Sequence, residues 1–262
     1  MLPLDTIFKQ ITQLETVDST NTFALERIRN SAESFDVPWL IVAKNQTRGR
    51  GRSGKSWLSD QGSLTFSIVW APDDSAAQID LSRLPLCIGM AIADALRSMV
   101  STTPKVKWPN DVLLDEKKCS GILIESTAAL SRLGTDSSPH VFVIGIGINC
   151  DVDTPQLEPI AAARATSIAC HLRSDQDGEQ EDMKSQVLFR VCHEVMRTLN
   201  ELPVVLQRLP IEWPRYCFLS GRMIKVQTAR GVIDGECHGI DERGAVIVRN
   251  EAGVWQTALS GE

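Results

Sequence analysis

Apolar residues recur along this chain at two spacings. A helical spacing runs from Asp18 or Ser19, either of which is a good N-cap, to about Glu33, with Phe23, Ala24 and Ile28 on one face. It returns in Leu84 to Val100, with Ile88, Ile92, Ala95 and Met99, and in Met183 to Leu199 behind the polar, acidic stretch Ser174 to Asp182. A shorter helix is predicted from Pro203 to Trp213. Strands are predicted at Trp39 to Lys44, Leu64 to Trp70, Lys105 to Trp108, Asp111 to Leu114, Gly121 to Thr127 and Val141 to Asn149. Their short spacings predict antiparallel hairpins. Asp115 to Lys118 is a polar turn and Ser131 to Pro139 a longer loop of the same kind, and neither has room for a crossover helix.

The character changes after Tyr216. Met223 to Thr228, Gly231 to Gly239, Ala245 to Val248 and Val254 to Leu259 are short strands joined by turns such as Asp241-Glu242-Arg243-Gly244, which predicts a small β-barrel. The chain thus divides into a larger unit, residues 1–216, and a smaller one, residues 217–262, with so little core of its own that it must pack on its neighbour.

Composition narrows the class. With 43% hydrophobic and 23% charged residues among 262, the chain is globular rather than disordered. No apolar run reaches the roughly 18 to 20 residues of a bilayer span, and Met1 to Asp5 lacks the regions of a signal peptide, so the expected compartment is the cytoplasm. Seven cysteines without a C-x-x-C pair read as reduced core thiols. Four scattered histidines offer neither a metal cluster nor a histidine-based triad. A net charge of -6 disfavours general nucleic-acid binding.

Against that acidic background stands Arg48-Gly49-Arg50-Gly51-Arg52-Ser53-Gly54-Lys55-Ser56-Trp57. Glycines let backbone N–H groups converge on an anion, and each guanidinium adds a planar fork of donors for phosphate or carboxylate. A solvated basic turn and an anion site both fit the segment taken alone. Like charges this close predict a segment that repels itself and stays mobile until a ligand neutralises it. Gly49-x-Gly51-x-x-Gly54 also matches a dinucleotide fingerprint, but Ser56 to Gly62 leads into a strand instead of opening a helix, so the Rossmann reading fails.

Lys105-Val106-Lys107-Trp108-Pro109-Asn110-Asp111 turns between two strands, and Lys117 to Glu125 returns into the next. Proline fixes the turn, and Asn110 and Asp111 can bond its backbone. The same geometry gathers Lys107, Asn110, Asp111 and Lys118 at nearby strand ends, the mixture of cations, amide and carboxylate that an activated-acyl site requires, beside Gly121, where a ligand can approach the backbone. Gly145-Ile146-Gly147-Ile148-Asn149 sets two glycines on one face of an apolar strand, for close packing or as a ligand wall. Asp18-Ser19-Thr20-Asn21 is as two-sided, since helix capping alone accounts for Ser19.

Together, Asp18 to Asn21, Gln46 to Gly54 with Trp57, Lys107 to Asp111, Lys118-x-x-Gly121-Ile122-Leu123 and Gly145-x-Gly147-Ile148-Asn149 resemble the biotin protein ligase family in order and spacing, across essentially the whole chain. The resemblance implies an α+β fold, a mixed sheet with flanking helices like the catalytic domain of class II aminoacyl-tRNA synthetases, followed by an SH3-like β-barrel. It implies two reaction steps. The biotin carboxylate attacks the α-phosphate of ATP, giving biotinyl-5′-AMP and pyrophosphate, and a lysine of a biotin carboxyl carrier protein, such as that of acetyl-CoA carboxylase, then takes the acyl group. Arg50, Arg52 and Lys118 would offset the charge of that step, sharing it with Mg²⁺ carried mainly by ATP. The implied biotin contacts are Ser19, Thr20, Asn21, Gln46, Gly49, Arg50, Gly51, Arg52, Trp57, Lys118, Gly121 and Gly147. The implied ATP contacts are Arg50, Arg52, Trp57, Lys107, Asn110, Asp111, Lys118 and Asn149. Asp111 would orient or deprotonate the incoming lysine, and the arginine loop would fold over the substrates.

Only 18 residues precede Ser19, too few for the winged helix-turn-helix with which some relatives bind operators, so DNA is not an expected partner, nor, for want of an apolar span, is a membrane; a monomer or weak homodimer is expected. A lipoate or octanoate ligase shares the fold and the chemistry but lacks this arginine–glycine pattern. A silent biotin-binding module would not need Arg50, Arg52, Asp111 and Lys118 intact. An RNA-binding role for the loop conflicts with the acidity of the chain and the absence of a repeated motif.

Overall fold

A computed structural model describes residues 4–30, 35–59, 61–72, 82–128, 140–152, 164–173 and 180–261. In chain order its elements are β1 (Gln10–Val17), α1 (Thr20–Arg29), β2 (Trp39–Gln46), β3 (Ser63–Trp70), α2 (Leu84–Arg97), β4 (Lys105–Lys107), β5 (Asp111–Leu114), β6 (Lys117–Ala128), β7 (His140–Asn149), α3 (Gln180–Asn200), α4 (Leu202–Tyr216), β8 (Met223–Thr228), β9 (Gly231–Ile240), β10 (Val246–Arg249) and β11 (Trp255–Ala258). The long loop expected at Ser131 to Pro139, and residues 174–179 of the acidic stretch, lie outside the described residues.

β7 shows how the sheet is built. Phe142, Ile144, Ile146 and Ile148 alternate onto one face and join a core made with α2, α3 and α4, while Val141 and Val143 turn to the other face and pack under Ala24, Leu25 and Ile28 of α1. An apolar run with helices on both sides is what such a central strand requires. But α1 has only 10 residues, about 15 Å of helix, and so covers only part of its face. Its first turn sets Asn21 against Gly145, and next to it at Gly147 the sheet opens into a cavity.

Seven strands form this sheet in the order β1-β2-β3-β7-β6-β5-β4. All neighbours are antiparallel except β1 and β2, which run parallel with α1 as the crossover. The sequence pattern did not predict β1. Its more buried positions include Gln10 and Thr12, held by hydrogen bonds from Asp36 N–H (3.0 Å) and Trp39 Nε1 (3.0 Å), while Ile11 faces out. The hydropathy alternation is therefore scrambled on this edge. Helix α1 ends at Arg29, with Asn30 as C-cap, short of the expected Glu33.

The expected C-terminal barrel is an open four-stranded antiparallel sheet, order β11-β10-β9-β8. With four residues each, β10 and β11 are too short to curl round and close on β8. As expected for so small a unit, its inner residues Val226, Cys237, Val246 and Val248 continue the main core. Buried Trp108 donates its Nε1–H to Gly244 O at 3.0 Å, which ties the small sheet to the strand turn beside the cavity.

Candidate active site

Strand register sets the floor of the site. Asp111 pairs with Gly121, Gly121 with Gly147, Gly147 with Thr65 and Thr65 with Ala43; two residues along the strands, Leu123 pairs with Gly145, Gly145 with Ser67 and Ser67 with Ile41. Above these rows lies a cavity of about 400 Å³, of ordinary size for a small-molecule site. The segments singled out in the sequence meet there: Ser19 to Asn21 from the start of α1, Gln46 from the end of β2, the arginine loop, the Lys107 to Asp111 turn, and Lys118 with Gly121 from β6.

Helix capping does not account for Ser19. It occupies the N-cap position but makes no capping bond with its side chain, and it is buried against the cavity. Gln46 does the work instead, its Oε1 accepting from Thr20 N–H at 2.8 Å and from the Thr20 hydroxyl at 3.1 Å. Ser67, fully buried, hydrogen-bonds Thr20 Oγ1 and Asn21 Oδ1, each at 2.7 Å. Asn21 Nδ2 then donates to Leu123 O (3.2 Å) and to Glu125 Oε2 (2.9 Å). A continuous polar chain thus runs beneath the cavity from Gln46 to Glu125. Buried polar groups of this kind are stable only when satisfied.

The arginine loop is closed on itself. Gly51 N–H donates to Lys55 O (2.7 Å), Trp57 N–H to Gly49 O (2.8 Å), and Arg52–Gly54 form a tight turn with Ser53 at φ 53° and Gly54 at φ 75°. A Cβ at Gly49 would collide with the Trp57 carbonyl, so the two arms can cross only at glycine. The expected self-repulsion is answered within the fold. Arg50 forms a two-pronged ion pair with Glu125 (2.8 and 3.2 Å), and Arg52 Nη1 donates to Asn110 Oδ1 (3.2 Å). Asn110 in turn bonds Ile122 O through Nδ2 (2.8 Å), pinning the turn to β6.

Lys118 reaches the cavity because of a β-bulge. Simple alternation would put it on the face opposite Gly121, three residues on. Register shifts between Val112 and Leu113, which pair with Ser120 and Lys118, so Cys119 is the extra residue. Its side chain turns into the core, where burial pushes the thiol pKa far up, and Lys118 swings back over Gly121. There Lys118 Nζ lies 2.7 Å from Asp111 Oδ1 and 5.6 Å from the centre of the Trp57 ring. The indole rests on Gly147, where a Cβ would overlap it, and its buried Nε1–H has no hydrogen-bond partner.

Two of the expected contacts do not line the cavity. Gly49 packs behind Trp57, and Asn149 is buried with its amide on Thr166 O at 3.1 Å. The structure adds residues that the sequence reading passed over. Thr65 and Ser67 had a signal, since they alternate with Leu64, Phe66 and Ile68. So did Glu125, a carboxylate at an even offset from Gly121 in an apolar strand. Arg164 had none; the Ala165 bridge to Lys118 brings it to the rim. Asp111 is the one carboxylate among the described lining residues, against Arg50, Arg52, Lys55, Lys107, Lys118 and Arg164. A locally positive cleft in an acidic chain concentrates anions. No group of three or more His, Cys, Asp or Glu side chains that could hold a metal ion occurs among the described residues.

Fold and site define the class: an α+β ligase domain, with a glycine floor under a basic loop, followed by a small antiparallel sheet. The chain belongs to the Biotin/lipoate A/B protein ligase family, whose model matches residues 14–149, and residues 219–262 match the Biotin protein ligase C terminal domain. It is 30% identical over 252 residues to the bifunctional ligase/repressor BirA of Salmonella typhimurium, covering 95% of this chain and 72% of that protein. To the biotin--[acetyl-CoA-carboxylase] ligase of Paracoccus denitrificans it is 28% identical, covering 92% and 94% of the two chains. The structure of Aquifex aeolicus biotin protein ligase in complex with biotin and ATP matches with a TM-score of 0.75 at 29% identity, covering 97% of each chain.

Proposed function

We propose that this protein activates biotin with ATP as biotinyl-5′-AMP and transfers the biotinyl group to a lysine of a biotin carboxyl carrier protein. The observation that carries the reading is the meeting, in one cavity, of the polar Ser19–Thr20–Gln46 corner, the glycine floor and the Lys118–Asp111 pair with the arginine loop. The glycines let Trp57, Lys118 and Asn21 lie close on the sheet, which leaves space above them for a flat bicyclic head group, and the hydroxyl and amide groups beside it offer donors and acceptors to a ureido ring. The unpartnered Trp57 Nε1–H is a buried donor that a ligand acceptor would satisfy.

Adenylation brings two anions together. At about 4 Å, two unit charges repel by about 4 kcal/mol in a medium of effective dielectric 20. Arg52 and Lys118 are placed to offset that repulsion while a carboxylate oxygen attacks the α-phosphorus and pyrophosphate leaves. When Lys118 turns to the carboxylate, Asp111 is released from its partner. Asp111 can then take a proton from the carrier lysine, which at its ordinary pKa of about 10.4 is nearly all ammonium at neutral pH. The freed amine attacks the acyl carbon, and AMP leaves.

Mg²⁺ supplies charge neutralisation when it enters with the nucleotide. The donor set fits an ion held chiefly by phosphate oxygens, since Asp111 alone offers a carboxylate within the described lining. In this reading residues 1–216 carry the chemistry and residues 217–262 brace it through contacts such as Trp108 to Gly244.

Exchange of labelled pyrophosphate into ATP tests the first step without a carrier. Exchange that requires biotin, and does not occur with lipoate or octanoate, is the expected result. Exchange with a lipoyl or fatty acid instead would assign the other branch of the family, and biotin binding without exchange would make the protein a sensor.

A further inference from the structure

The two arginines of the loop are not used alike. Arg52 ends on a neutral amide oxygen of Asn110 at the cavity wall, whereas Arg50 spends both Nη groups on Glu125, with Thr22 Oγ1 a third acceptor at 3.4 Å. Glu125 is held before any arginine arrives. It stands on β6, paired to Val143 of β7, and its Oε2 accepts from Asn21 Nδ2 at 2.9 Å. Asn21 is itself 2% exposed and fixed by Ser67 and by Leu123 O.

We propose that Glu125 is the positioning residue that anchors the root of the arginine–glycine loop and thereby sets the affinity of the site for biotin and ATP; this rests on the function proposed above. Most exposed ion pairs hold little in place, because both side chains must be ordered to form them. This one differs in two ways. Its geometry is two-pronged, which fixes the guanidinium plane as well as its distance. And one partner is already oriented by a hydrogen-bond chain that runs from Gln46 through Thr20, Ser67 and Asn21. Fixing Arg50 fixes the backbone of Arg50 and Gly51 along the cavity edge. Through the Gly51 N–H to Lys55 O bond it also fixes the turn that aims Arg52. Without the carboxylate, Arg50 becomes an unneutralised cation two residues from Arg52, and the repulsion that the sequence foretells returns to the loop.

Glu125→Gln tests this, because the amide keeps the volume of the side chain and an acceptor for Asn21 while removing the charge that holds Arg50. In pyrophosphate exchange, KM for biotin and for ATP is expected to rise about tenfold while kcat at saturation stays within about threefold of wild type, the signature of lost preorganisation rather than lost chemistry. Subtilisin cleavage between Arg48 and Lys55 in the ligand-free protein is expected to accelerate about tenfold. Arg50→Gln, which also removes a cation that lines the cavity, should raise KM at least as much, and the double variant should be no worse than Arg50→Gln alone, since Glu125 acts through Arg50. KM values within twofold of wild type, an unchanged cleavage rate, or effects that multiply in the double variant would each overturn the proposal. A wild-type protein that shows no exchange with biotin would instead retire the proposed reaction, and the cleavage comparison, which uses no ligand, would still decide whether Glu125 anchors the loop.

Discussion

Replacing Gly145 with alanine sets a methyl carbon against the Asn21 side chain, overlapping Oδ1 and lying 2.9 Å from Cγ and 3.0 Å from Nδ2. Asn21 cannot yield cheaply. Moving its amide breaks the bonds to Ser67 and to Leu123 O, about 1 kcal/mol each, and the bond to the Glu125 carboxylate, about 1.5 to 3 kcal/mol. Alanine returns about 0.5 to 1 kcal/mol of strand preference over glycine. The net loss is about 2.5 to 4.5 kcal/mol, or a fall in Tm of roughly 5 to 18 °C for a chain of this size. Gly147→Ala, two residues on and on the same face, meets the Trp57 ring instead, 2.6 Å from Cζ2 and 2.7 Å from Nε1. That ring sits on a loop, and its Nε1–H has no partner to lose, so it can swing away. Stability should change by less than about 1 kcal/mol, while biotin affinity falls by about tenfold to a hundredfold because the indole no longer closes the site. Denaturation in guanidinium chloride followed by circular dichroism gives the first quantity, and titration calorimetry with biotin the second. A Gly145→Ala protein within about 1 kcal/mol of wild type, or a Gly147→Ala protein less stable than it, would refute the reasoning from contacts.

Three further outcomes are expected. Asp111→Asn should slow transfer from preformed biotinyl-5′-AMP to a carrier domain by about 10² to 10⁴-fold, and transfer at the wild-type rate would remove Asp111 from the second step. Biotin plus ATP should slow proteolysis between Arg48 and Lys55, and equal rates with and without ligand would count against closure of the loop over its substrates. Tyr216 donates its hydroxyl to Asp94 at 2.9 and 3.0 Å, and burial, reinforced by that bond, raises its pKa to about 12. The folded state therefore holds this proton more tightly than the unfolded state, so the contribution is complete below pH 10 and disappears as pH rises toward 12. Tyr216→Phe should cost about 1.5 to 3 kcal/mol near neutral pH, with a gap to wild type that narrows across that alkaline window in denaturant titrations.

Much of the site was legible because its signals are local. Glycine spacing in Gly145-x-Gly147 puts both residues on one face whatever the rest of the sheet does, and Thr65 and Ser67 are set apart from Leu64, Phe66 and Ile68 by the same period of two. The turn at Pro109 is likewise written in a few consecutive residues, whereas the crossing of Gly49 with Trp57 is not. Where local pattern and burial disagree, the local pattern misleads. β1 turns Gln10 and Thr12 inward because hydrogen bonds satisfy them there, and hydropathy alone cannot foresee that.

By itself, then, the sequence determined the order of the helices and of every strand but β1, the family, and most of the residues that gather at the cavity. Each of those depends on a repeat or a motif a few residues long. The tertiary structure decided what those residues do to one another. A bulge at Cys119 reverses the facing of Lys118 and brings it to Asp111. The short α1 leaves part of the sheet uncovered, and the strand register sets Glu125 beneath Arg50, far away along the chain. Register and bulges arise from pairing between distant segments, and the free energy that selects them belongs to the packed sheet rather than to any one stretch of chain.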